Sequence, residues 1–105
     1  MADSAGALTE AAYYILLSLY DDLHGYGIMQ KVEQMSGGRV QLGAGTLYGA
    51  LNTLLNKNWI GEAAQYDRRK EYRITEAGRA AVEREIARLE EMLSNGKAVT
   101  EKETL

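Results

Sequence analysis

The sequence has no cysteine. That excludes a disulfide framework and any thiolate metal site. It has a single histidine, His24, which excludes multi-histidine zinc motifs. No apolar run approaches the roughly 20 residues needed to span a bilayer. The opening MADSAGALTE has neither the basic start nor the apolar stretch of a secretory signal. These absences together lead to the expectation of a cytoplasmic protein. Nor is there an excess of positive charge: 12 Lys and Arg stand against 15 Asp and Glu, a formal net charge of -3. That balance argues mildly against a nucleic-acid partner. Catalytic constellations are lacking too. His24 has no Ser or Cys nucleophile motif nearby, and no metal-ligand spacing exists. Gly43-Ala44-Gly45 is neither a dinucleotide fingerprint nor a P-loop. No enzyme activity, catalytic residue, metal or cofactor is expected.

What is present is 105 residues, enough for one domain with a modest core. Residues 1–6 are small and polar and read as a flexible N-terminus. Leu8, Ala12, Ile15, Leu16 and Leu19 recur at helical spacing, with Thr9 or Ser4 as cap. Tyr13, Tyr14 and Tyr20 widen that stripe enough to meet both a core and a partner. His24-Gly25-Tyr26-Gly27 reads as a turn entering a second helix whose inner face is Ile28, Met29, Val32 and Met35. Ser36-Gly37-Gly38 stops it. Arg39-Val40-Gln41-Leu42 alternates and is predicted to form one short strand.

Residues 43–60, GAGTLYGALNTLLNKNWI, then form a third helix. Leu47, Leu51, Leu54 and Leu55 make its greasy face. The other face holds Thr46, Tyr48, Gly49, Asn52, Thr53, Asn56 and Lys57. A small, polar, nearly uncharged face suits a DNA groove, where amides and hydroxyls meet phosphates and base edges. Taken alone, the stretch reads rather as an ordinary amphipathic helix, and its flanks have to decide. Beyond Trp59-Ile60, residues 61–65 and 70–74 read as two strands around Tyr66-Asp67-Arg68-Arg69, with Tyr72 and Ile74 on one face and Glu71 and Arg73 on the other. The hairpin tip is basic. The segment from Lys57 to Arg73 carries Lys57, Arg68, Arg69, Lys70 and Arg73 against Glu62, Asp67 and Glu71, and binding follows this local field rather than the net charge.

Thr75 caps a long final helix with Glu76 in its first turn. Its glutamates interleave with Arg84 and Arg88 as a solvated face. Val82, Ile86, Leu89 and Leu93 form a short seam, expected to be a dimer interface. Asn95-Gly96 is expected to end the helix, leaving 96–105 as a disordered tail. The fold class is therefore mainly α with a small β-hairpin: a winged helix-turn-helix over 7–75, followed by a dimerisation helix over 76–95.

Four stretches in this order resemble the PadR family of bacterial transcriptional regulators, of the short type with one C-terminal helix. They are His24-Gly25-Tyr26-Gly27-Ile28, Gly45-Thr46-Leu47-Tyr48, Arg68-Arg69-Lys70-Glu71-Tyr72, and Ile74-Thr75-Glu76-Ala77-Gly78. The resemblance implies a homodimer that binds palindromic operator DNA, usually as a repressor, and is released in several members by small aromatic or drug-like molecules. It places Thr46, Tyr48, Asn52, Thr53 and Lys57 on the recognition helix and Arg68, Arg69 and Lys70 in the wing, at phosphates or the minor groove. Gly43-Ala44 stands where relatives often carry Ser or Asn followed by Pro, so a side-chain cap is missing. An effector would draw its aromatic surface from Tyr13, Tyr14 or Tyr20, with Met92 as an adaptable apolar neighbour. The alternative is a winged-helix protein-interaction module, which the net negative charge supports. The basic wing beside an uncharged polar helix face favours double-stranded DNA.

Overall fold

The first helix, α1 (Glu10–Ser18), begins where the sequence puts a cap: the Thr9 hydroxyl accepts the Ala12 N–H at 3.0 Å. The computed structural model describes residues 6–103, so Ser4, the alternative cap, and most of the expected flexible N-terminus lie outside the described residues. Ile15, Leu16 and Leu19 are fully buried, as their spacing requires. The Ser18 hydroxyl is buried among them and donates to the Ile15 carbonyl at 2.7 Å, so burial leaves no polar atom unpaired.

A two-residue strand, β1 (Leu23–His24), comes next, then α2 (Gly25–Met35). Ile28 and Val32 are its buried residues; Met35, expected inside, is 39% exposed, because the last turn runs past the core. Gly37 and Gly38 take the left-handed conformation that stops the helix, and the Gly38 N–H reaches back to the Glu33 carbonyl. The strand expected at 39–42 does not form. The short strand of the fold is β1 instead, and Val40 and Leu42 anchor an irregular connection against the core.

Helix α3 (Ala44–Asn56) follows, with Gly43 as an N-cap that offers no side-chain hydrogen bond. It buries Leu47, Leu51 and Leu54. Strands β2 (Ile60–Tyr66) and β3 (Arg69–Ile74) form the wing, and β3 lies between β2 and β1 in an antiparallel sheet. Leu23 pairs with Tyr72 and His24 with Glu71 on one side; Ile60 pairs with Ile74 and Tyr66 with Arg69 on the other. An irregularity between Glu62 and Ala64 bends β2. Tyr72 and Ile74 point into the core and Arg73 out, as alternation predicts. Arg73 grips Asp22 through two hydrogen bonds of 2.9 and 2.7 Å, fastening the sheet to the turn after α1.

The last helix, α4 (Glu76–Glu103), is the longest. The Thr75 hydroxyl accepts the Gly78 N–H at 3.0 Å and donates to the Asn58 carbonyl at 2.7 Å, tying the helix start to the corner after α3. A Cβ at Gly78 would lie 2.1 Å from the Trp59 carbonyl oxygen, so the helix can approach that corner only because residue 78 has no side chain. The helix does not stop at Asn95-Gly96. Gly96 does not adopt a positive φ, the Thr100 hydroxyl bonds back to its carbonyl at 3.0 Å, and the run Lys97–Glu103 is rich in helix formers. The expected tail over 96–105 is therefore helical through Glu103, and the remaining residues lie outside the described ones.

Candidate nucleic-acid interface

A groove of about 590 Å³ runs between α3 and the wing. Tyr48 and Asn52, one helical turn apart, form its α3 wall. Arg68, Arg69 and Lys70 face them from the wing, and His24, Gly25 and Tyr26 close the end. Among the described residues, none that lines the groove is acidic. This separates the groove from the chain's net charge and gives it a positive field.

The wing tip is a tight two-residue turn. Asp67 and Arg68 both have positive φ, 48° and 69°, the type I′ pattern that matches the twist of a hairpin. Such turns favour Asn-Gly, so Arg68 holds a conformation costly for a side-chain-bearing residue. The turn thrusts Arg68 outward, where it has no hydrogen bond or ion pair among the described residues. Lys70 lies 3.4 Å from the Glu62 carboxylate, an exposed pair that leaves it available to a stronger anion.

Tyr48 is half exposed, and its ring rests on the backbone of α2 at Gly25. This fixes the phenol at the groove rim rather than in the core.

Thr46, Thr53 and Lys57 do not join this groove. At 100° per residue they lie on the other edge of the exposed face of α3. The Thr53 hydroxyl turns back to the Gly49 carbonyl at 3.2 Å. Lys57 places its Nζ 4.7 Å from the centre of the Trp59 ring, a cation–π contact. Thr53, Lys57 and Trp59 border a second hollow of about 300 Å³ next to Leu8. Between the two edges runs an exposed crest of Gly45, Gly49, Asn52 and Asn56. Besides Gly25 and Tyr72, two groove residues stand outside the set chosen from the sequence: His24, read there as part of a turn, and Tyr26, which is 62% exposed. Their signal was the placement of two polar rings at a helix start, which becomes meaningful only when β1 brings that start beside β3.

The seam residues divide. Val82 is 2% exposed and belongs to the chain's own core, which corrects its place in an interface. Ile86, Leu89 and Leu93 are 39, 40 and 59% exposed. The stripe is continuous, but its first turn packs on the chain's own body and the rest runs past it. Between α1 and this stripe lies a cleft of about 320 Å³ lined by Tyr13, Tyr14, Glu85, Arg88 and Leu89. The two tyrosine rings meet edge-on at 5.8 Å. Burial, and then the neighbouring Tyr14, Glu85 and Tyr20 in that order, push the Tyr13 phenol above its ordinary pKa. Tyr20 is not part of this cleft; its ring lies under the Arg79 guanidinium at 4.4 Å. Met92 does not line it either, although its Sδ accepts a hydrogen bond from Arg88 at 2.8 Å. Arg88 also grips buried Glu85 at 2.6 and 3.0 Å, and the Leu8 N–H donates to the same carboxylate at 3.3 Å. These contacts, the Arg88 hydrogen bonds foremost, hold the Glu85 carboxyl below its usual range against the cost of burial.

Comparison with known proteins agrees with this architecture. The transcriptional regulator PadR-like family matches residues 15–84. A 37.1 kDa protein in transposon TN4556 of Streptomyces fradiae is 42% identical over 77 residues; these cover 72% of this chain and 22% of that protein, so the chain spans about a fifth of that relative. RosR of H. salinarum superposes with a TM-score of 0.67 at 30% identity, over 87% of this chain and 79% of its own. A PadR family transcription regulator from Clostridium difficile superposes with a TM-score of 0.68 at 23% identity, over 88% of this chain and 98% of its own, a likeness of fold. Among the described residues no helix is long and apolar enough to cross a membrane.

Proposed function

The chain belongs to the PadR-like family of transcriptional regulators, and from that premise we propose that it works in the cytoplasm as a homodimer that binds a palindromic operator through the groove between α3 and the wing. One observation carries the proposal: Tyr48 and Asn52 face Arg68, Arg69 and Lys70 across a groove with no acidic lining among the described residues. The division of labour follows from the chemistry. Asn52, with an amide able to pair bidentately with adenine, reads base edges along with the Asn56 crest. Tyr48 and the wing cations hold phosphates and set the register. Thr46, Thr53 and Lys57 lie on the far edge of α3, outside the groove beside the wing, and meet the opposite strand of the DNA major groove.

The exposed stripe of Ile86, Leu89 and Leu93 pairs with its copy in the dimer and spaces the two reading heads. A repressor role, relieved by a planar aromatic effector, fits the cleft of Tyr13 and Tyr14 beside that stripe: a ligand there touches both α1 and the dimer contact. Met92 borders the same region through Arg88.

Selecting bound sequences from a random DNA pool tests the proposal. A palindrome fixes both DNA recognition and two-fold symmetry. Failure to retain any duplex at low salt overturns it in favour of a protein-binding module.

A further inference from the structure

His24 caps α2 through its Nδ1, which lies 3.4 Å from the Gly27 amide nitrogen. A backbone N–H can only donate, so Nδ1 is the acceptor and the ring carries its proton on Nε2. The capping tautomer therefore turns an N–H toward the groove. There it meets Arg69, whose Nη1 is 3.3 Å from Nε2. A guanidinium also has only donors. The two groups thus converge at hydrogen-bond distance as two donors, on the wall of a groove lined, among the described residues, by no carboxylate. The register of the sheet enforces this, because His24 pairs with Glu71, two residues from Arg69.

We propose that His24 Nε2–H and Arg69 together clamp one phosphate oxygen of the DNA backbone, making His24 a DNA-contacting residue and not only a helix cap. This rests on the DNA-binding function proposed above. The phosphate supplies the acceptor that the paired donors lack. The capping bond in turn locks the imidazole so that its donor stays aimed into the groove. Arg69 provides the charge; His24 provides direction, since it contacts the phosphate without displacing a counterion of its own.

The test uses the full chain and a duplex of arbitrary sequence. Ser at position 24 retains the capping acceptor but cannot reach the groove. His24→Ser is expected to keep the thermal midpoint of the parent and to lose affinity by about tenfold or more, the scale of one hydrogen bond to a charged group. Its slope of log affinity against log salt stays that of the parent, whereas Arg69→Ala lowers that slope by about one. The double variant loses less than the product of the two single losses, since both groups act on one phosphate. Parent-like affinity in a stable His24→Ser overturns the proposal, and so do losses that simply multiply. Should His24→Ser unfold, the parent decides: an Nε2–H signal in the NMR spectrum that becomes protected from water exchange on adding duplex supports the clamp, and one that keeps exchanging overturns it. A parent that retains no duplex sinks the DNA-binding function as well, which is a different result from parent binding that His24→Ser leaves intact.

Discussion

The hydroxyl of Tyr48 occupies the space in which a side chain at residue 25 would begin. A Cβ built on Gly25 lies 2.5 Å from that oxygen, 3.1 Å from the ring carbon bearing it and 3.4 Å from Leu47. The glycine near the start of α2 is therefore what lets the phenol of α3 settle at the groove rim. Gly25→Ala should push the ring outward, since its far end is half exposed and free to move. The expected outcome is a stability loss of about 1 kcal/mol, the low end for overpacking, with a larger fractional loss of DNA affinity. Thermal unfolding and DNA retention on the same sample measure both. Parent-like DNA binding would show that the seated position of Tyr48 is not the one used on DNA.

The wing tip separates stability from binding. Arg68→Gly relieves a left-handed residue and should stabilise the hairpin by about 0.5–1 kcal/mol, while weakening DNA binding by removing an outward cation. Arg68→Ala with Arg69→Ala should weaken binding to every sequence and reduce the salt slope by about two. Asn52→Ala should instead change the preference among sequences. A wing double variant with an unaltered salt slope would move the phosphate contact elsewhere.

At the base of α4 the contact is between backbones and cannot yield. Gly78→Ala sets a methyl 2.1 Å from the Trp59 carbonyl oxygen and 2.7 Å from Ile74. The loss should reach about 3 kcal/mol, the upper end for overpacking, measured by urea unfolding. A change below about 0.5 kcal/mol, the level of an ordinary surface substitution, would contradict the tight corner.

The two halves of the α4 stripe should respond differently to charge. Leu89→Asp alters an exposed position and should yield a folded monomer in sedimentation. Val82→Asp buries an unpaired carboxylate in the core and should unfold the chain. A Leu89→Asp protein that sediments as a dimer would remove the stripe from the interface.

Acid should loosen both the tie of the N-terminal segment to α4 and the tie of β3 to the turn after α1. The carboxyl of Glu85 is held below its usual range by Arg88, and that of Asp22 by Arg73. A folded-state pKa below the unfolded one means that the ionised group stabilises the fold. That stability is complete above the unfolded carboxylate values near about 4 and is lost as pH falls through the lower folded values. Unfolding midpoints should therefore drop below about pH 4, and Glu85→Gln should show a shallower drop. An identical acid profile for parent and Glu85→Gln would exclude Glu85 as a contributor.

Most of the architecture was legible because it rests on local signals. The period of Ile15, Leu16 and Leu19, the cap at Thr9, the glycines after α2 and the alternation of Tyr72 and Ile74 each act within a few residues. The strand at Leu23–His24 was not legible. Two residues carry no period, and only the free edge of β3 makes them a strand. The end of α4 misled for a related reason: Asn-Gly stops a helix when the glycine turns left-handed, and here it does not.

The candidate site divides along the same line. Tyr48, Asn52, Arg68, Arg69 and Lys70 could be named from residue type and order, since a polar helix face and a basic hairpin tip are local properties. What the chain alone determined was its helices, its wing and its membership in a family of regulators. Only the tertiary structure decided that Val82 serves the core while Leu89 is exposed, that Thr53 and Lys57 turn from the groove, and that His24 faces Arg69. Those outcomes depend on pairings such as His24 with Glu71, across tens of residues of sequence, and a pattern confined to one segment holds no record of them.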